Sequence, residues 1–229
     1  MSIVKSRSWL RIALAVAATG LAVSACGTVK LGAAAIAGNN RISSTSLTTQ
    51  VANLNSAYTT DEAKGVKPQR AVAQETQQVL TWLILFHVYD QIAANNDIHV
   101  SSAQAQRQLD QLSTQASSSK VTLAEYVSAG GALPPDLVPQ LGQYLAILSA
   151  LEYRIDGGKA PTTSAQQAKV QSALTHDQCR ASKDLGVTVN PQFGVWDYRS
   201  YSVVTAPPTL AAAPSPAPSA TPALTKPPC

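Results

Sequence analysis

VLTWLILFHVY, residues 79–89, is the most apolar stretch beyond the first 25 residues of a 229-residue chain, and its reading decides the fold. Eleven residues interrupted by Thr81 and His87 are too short to cross a bilayer, which takes about 20 apolar residues. The flanks AVAQETQQ and DQIAANN are polar and helix-compatible, so the segment extends to a helix over about 70–95. A helix apolar on nearly every side must be surrounded by protein, which makes this the expected central core helix rather than a membrane or cofactor helix. His87 then reads as a core or boundary histidine, not a ligand.

Working outward toward the C-terminus, Asn95-Asn96-Asp97 breaks the helix and Ile98-His99-Val100 follows. Ser101 to Gln104 has the spacing of a capping box, in which a hydroxyl and a side-chain amide satisfy each other's backbone N–H groups. Beyond it Ala105, Leu109, Leu112 and Ala116 share one helical face. Thr122 to Glu125 is a second capping box, opening a short helix with Tyr126 and Val127 that Gly130-Gly131 is expected to stop. LPPDLVP then announces a helix with the stripe Leu137, Leu141, Leu145, Leu148, Leu151 and Ile155. A last helix is expected over about 164–185, with Val170, Leu174, Ala181 and Leu185 on one side and Cys179 roughly opposite them, a placement that argues against a core role for Cys179. Val187 and Val189 alternate as in a strand, and Asn190-Pro191 marks a turn.

Toward the N-terminus, AAAIAGNNRIS predicts a two-stranded hairpin turning at Gly38-Asn39-Asn40. Ser44 or Thr45 is placed to cap a helix through Leu47, Val51, Leu54 and Ala57 or Tyr58, followed by a loop over 59–68. The resulting fold class is mainly α, with a small hairpin near the N-terminus and a short C-terminal strand packing on it. From residue 202 a tail begins; from Thr205 onward it carries eight prolines and one charge, Lys226, and cannot bury enough surface to fold.

The first 25 residues have the layout of a signal peptide: Lys5, Arg7 and Arg11 with no acid, the apolar run Ile12 to Ala25, and small residues at its end. On the residues alone, the signal could be cut nearby with Cys26 free or disulfide-bonded. Val23-Ser24-Ala25-Cys26 resembles the lipobox of bacterial lipoproteins. That resemblance implies cleavage between Ala25 and Cys26, a diacylglycerol on the Cys26 thiol, residues 26–32 as a tether, and a chain anchored on the extracytoplasmic face of the cell membrane.

Removing the three basic residues of the first 25 leaves 14 Lys+Arg against 13 Asp+Glu, so no basic surface argues for nucleic acid. Without a Cys-x-x-Cys pair, Cys179 reads as a free or transiently paired thiol, although export would permit a disulfide to Cys229. His87, His99 and His176 are scattered, which argues for no metal and no other cofactor.

The order of these elements, with the phrases NDIHVSSAQAQRQLDQL, TLAEYVSAGG and PPDLVPQLGQYLAILSAL, resembles the N-terminal domain family of SurA. Asp97-Ile98-His99-Val100-Ser101 matches a turn of that family with Asp in place of its usual Gly. Asn190-Pro191-Gln192-Phe193-Gly194 resembles a closing phrase of actinobacterial lipoproteins carrying the domain, with Gln192 in place of Arg. The resemblance covers about residues 33–196 of one helical domain expected over 33–201, and implies a chaperone module that cradles unfolded or newly exported polypeptides. SurA and PrsA foldases place a parvulin isomerase between their helical parts. The thirty-odd residues between Ile155 and Val187 leave no room for one, so the expectation is a non-catalytic holdase. Its candidate client-binding residues are Trp82, Phe86, Tyr89, Tyr126, Tyr144 and Tyr153. The alternative is a structural or adaptor lipoprotein with one cell-envelope partner, and a prolyl-isomerising foldase is disfavoured.

Overall fold

A computed structural model describes residues 32–68 and 74–206 of the chain. The signal segment, Ala25, Cys26 and the tail beyond residue 206 lie outside these residues, as does the predicted start of the central helix near Arg70.

The described chain begins in a hairpin. Strand β1 (Ala33–Ala37) pairs antiparallel with β2 (Asn40–Ser43) through a turn at Gly38-Asn39. Gly38 takes φ +61°, a left-handed conformation that favours glycine, and a Cβ there would sit 2.9 Å from Leu185 Cδ2. Strand β3 (Thr188–Val189) adds to the other edge of β1, giving the antiparallel order β2-β1-β3. The two ends of the domain therefore share one sheet. Asn190 secures the join: its N–H donates to the Ala34 carbonyl (2.8 Å) and its Nδ2 to the Ala33 carbonyl (3.1 Å).

Six α-helices make up most of the described residues between β2 and β3: α1 (Ser44–Ala63), α2 (Glu75–Asn95), α3 (Ser102–Ser118), α4 (Leu123–Gly131), α5 (Val138–Ile155) and α6 (Ser164–Asp184). Helix α2 is the central one, with Val79, Leu80, Ile84, Val88, Tyr89 and Ile92 all at or below 2% exposure. It packs against α1, α5, α6 and the sheet. Each such side chain contributes about 1.5–3 kcal/mol relative to exposure. Among the described residues no helix is long and apolar enough to cross a membrane. His87 is half-buried, and burial lowers its pKa despite the opposing charge of Asp90.

Several boundaries differ from the sequence reading, for physical reasons. The cap of α1 is Ser43, whose Oγ accepts from the Ser46 N–H (3.0 Å). The helix continues through residues 59–63, where a loop was expected. Thr59 and Thr60 turn their hydroxyls back onto the Asn55 and Ser56 carbonyls, and Asp61 is buried, accepting from Ser128 Oγ (2.6 Å). Helix α4 runs through both glycines and stops at Ala132, which takes the left-handed φ of +48°. The chain also stays ordered past Tyr201: β4 (Val195–Asp197) and β5 (Ser202–Val204) form a second hairpin with Trp196 opposite Val203, both buried. The boundary expected at residue 202 coincides with the start of β5, which is held to α2 by the Val203 N–H donating to Thr81 Oγ1 (2.8 Å).

Cys179 reverses its expectation. It lies off the apolar stripe of α6, yet it is fully buried and disulfide-bonded rather than a free thiol.

Candidate functional site

Trp82 and Phe86 stand one turn apart on α2, so they project from the same face, with ring centroids 5.9 Å apart. Helix α5 brings Tyr144 edge-on to Trp82 (5.9 Å, 87°) and beside Phe86 (6.3 Å). The Trp82 indole is fixed by its Nε1–H donating to the Gly131 carbonyl at the end of α4 (2.9 Å). These contacts hold one wall of an open groove of about 480 Å³ between α2, α3, α4 and α5. Tyr126 and Val127 of α4, Leu112 of α3, Leu141 and Leu145 of α5, and Leu133 also line it. Phe86, Val127, Leu133, Leu137 and Leu141 form a buried cluster that shares Val127, Leu133 and Leu141 with the groove lining.

Helix α4 is held in place by its polar face. Glu125 completes the capping box with Thr122 and pairs with Lys64 of the α1 terminus at 2.7 Å. The Lys64 ammonium and the Thr122 N–H together pull the Glu125 carboxyl down to about 2. It is therefore ionised at neutral pH and unsuited to donating a proton. The buried Asp61–Ser128 bond ties the same two helices a turn away. Burial raises the Tyr144 phenol above its ordinary value, so that wall stays neutral.

The structure divides the candidate residues. Trp82, Tyr126 and Tyr144 line the groove together. Phe86, 9% exposed, supports them from beneath. Tyr89 is a core residue at 2% exposure, stacked edge-on against Tyr144 at 4.4 Å, with its hydroxyl accepting from Gln178 Nε2 (2.8 Å). Burial raises its pKa, with the neighbouring Tyr144 adding to the effect. Tyr153 is 59% exposed and stands away from the groove. Sequence reasoning missed Leu112, Leu141 and Leu145 as lining residues. They sit in the same apolar stripes that fill the core, and no periodicity separates a half-covered leucine from a covered one. Among the described residues no cluster of His, Cys, Asp and Glu side chains is arranged to hold a metal ion.

No protein family, curated protein or solved structure was found to match this chain.

Proposed function

We propose that the protein is a lipid-anchored, extracytoplasmic, non-catalytic chaperone of the SurA N-terminal-like kind, which shields apolar segments of unfolded or newly exported polypeptides in the α2–α5 groove. The observation that carries this reading is the groove itself, where Trp82, Tyr126 and Tyr144 face open space together with leucines from α3 and α5. Apolar surface kept open to solvent in a concave site is unusual for a monomer and suits binding of extended apolar chains, with affinity set by burial rather than by a reactive group. The element order of hairpin, central helix, capped α3, short α4 and proline-led α5 supports the SurA-like identity. The anchor would be the diacylglycerol on Cys26, since two or three acyl chains hold a protein at a membrane that one would let go.

The test is whether the purified mature chain suppresses aggregation of several unrelated unfolded proteins. Suppression is expected for the wild-type chain and for Tyr153→Ala, and is expected to fall several-fold in Tyr126→Ala at unchanged helicity. Suppression of no client, with a single protein recovered by crosslinking from membranes, would favour an adaptor lipoprotein instead. For the anchor, Cys26→Ala is expected to release the protein from membranes or to block its processing.

A further inference from the structure

Trp82 borders two cavities. The second, of about 750 Å³, is lined by Gln74, Gln77 and Gln78 at the start of α2 and by β5 and Thr205. Trp82, Gly130 and Gly131 line both, so the two cavities adjoin there. Their chemistries differ. The first is walled by apolar side chains; its charged lining residues are Lys67 and Glu125, and Glu125 is held by Lys64 at 2.7 Å. No charged residue lines the second, which offers side-chain amides, each able to donate and accept at once.

The two glycines at the junction are not required by the fold. Both lie within α4 and neither has a positive φ; the left-handed position that ends the helix, where glycine would relieve strain, is Ala132. A Cβ built on Gly130 or Gly131 meets no neighbouring heavy atom within 4 Å. Alanine would hold the helix better at both positions. What the missing side chains leave is open space beside Trp82, where the cavities adjoin. The indole is fixed at that point by its bond to the Gly131 carbonyl (2.9 Å).

We infer that Gly130-Gly131 is the crossing point for one extended polypeptide segment that occupies both cavities. This inference rests on the polypeptide-binding reading of the groove and specifies what that groove recognises. An apolar side chain of the segment gains from burial against Trp82, Tyr126 and Leu145, but the apolar first cavity offers little to the main-chain N–H and C=O groups beside it. Those groups lose water on docking and need new partners, which the glutamine amides of the second cavity supply. A chain passing from one cavity to the other crosses where no side chain obstructs it. Charge completes the description of the ligand. Lys67 is exposed and has no ion-pair partner among the described residues, so it favours a carboxylate next to the apolar residue, while the uncharged second cavity favours a neutral stretch. The segment recognised is an apolar residue with an acidic neighbour, flanked by uncharged residues.

The experiment measures, by fluorescence anisotropy, binding of a labelled peptide to the purified mature chain; the peptide carries a leucine pair next to an aspartate, with serines on either side. The wild type is expected to bind it. Gly131→Leu is expected to weaken binding about tenfold, equivalent to losing a net hydrogen bond or two, with the urea midpoint unchanged or raised. The same peptide N-methylated along its serines should bind the wild type more weakly by a similar factor and lose nothing further in Gly131→Leu. Replacing the aspartate by lysine should weaken binding several-fold at low salt, and Lys67→Glu should reverse that preference. Equal binding by wild type and Gly131→Leu, or undiminished binding of the N-methylated peptide, overturns the crossing and leaves the groove reading standing. A preference that Lys67→Glu does not change overturns the acidic neighbour. A wild type that binds no peptide overturns this inference and the groove reading together, and uptake of oleate by that protein would assign the cavities to a lipid chain.

Discussion

At the scale of single residues, the chain reveals itself most clearly where backbone conformation is forced. Asp97 takes φ +51° after α2, where its N–H and that of Ile98 return to the Ala94 and Ala93 carbonyls (3.4 and 2.9 Å). A left-handed φ of this kind is one that glycine adopts without strain. An L residue there costs about 1–2 kcal/mol, less for Asp than for a branched side chain. Asp97→Gly should therefore be neutral or stabilise by up to about 1 kcal/mol, while Asp97→Val should destabilise by about 1–2 kcal/mol, as read from urea midpoints. Glu125 yields a pH prediction. Its carboxyl is held at about 2 against an ordinary 4.5, so its contribution is fully present above about 4.5 and is lost as the pH falls toward 2. Across that window the thermal midpoint of the wild type should fall toward that of Glu125→Gln, and the gap between them should be constant from pH 5 to 7.

At the scale of elements, the starts of helices were more legible than their ends. The capping boxes of α3 and α4 were read directly from Ser101/Gln104 and Thr122/Glu125, and both form. A third, Thr163/Gln166 on α6, follows the same rule. All six helices close with a left-handed residue and an N–H returning five or six residues back, but glycine fills that position only in α1, α5 and α6, at Gly65, Gly157 and Gly186. In α2, α3 and α4 it is Asp97, Lys120 and Ala132, so the usual stop signal is missing from the sequence. Helix pairing was also hidden. Gly142 of α5 looks like a weak spot in a helix, yet it is the point where α3 approaches: a Cβ there would lie 2.9 Å from Leu109 Cγ and 3.1 Å from the Ala105 carbonyl. Gly142→Ala should thus gain about 1 kcal/mol in helix propensity and still destabilise the protein by about 1–2 kcal/mol net, because α3 must shift. A chemical-denaturation curve decides the sign.

At the scale of the whole molecule, the sheet that joins both ends of the domain and the burial of α2 were legible because each rests on short-range pattern: a Gly-Asn turn, alternating valines, an apolar run broken only by Thr81 and His87. The second hairpin was not, since Val195 to Val204 has only three-residue strands, and it is β5 that meets α2, a long-range contact that no local pattern announces. The groove was half legible. Its aromatic residues stood out by type, but the division into lining (Trp82, Tyr126, Tyr144) and support (Phe86, Tyr89) depends on how α4 leans on α1 through Lys64, Asp61 and Ser128. The central claim is that this groove, and not the exposed surface at large, holds unfolded chains. A photoreactive phenylalanine derivative placed at Tyr126, with the same group at Tyr153 as reference, tests it on the mature protein incubated with several unfolded, fluorescently labelled polypeptides. The account predicts crosslinks to every client from position 126 and few from position 153. Equal labelling at the two positions, or none at 126, would contradict it.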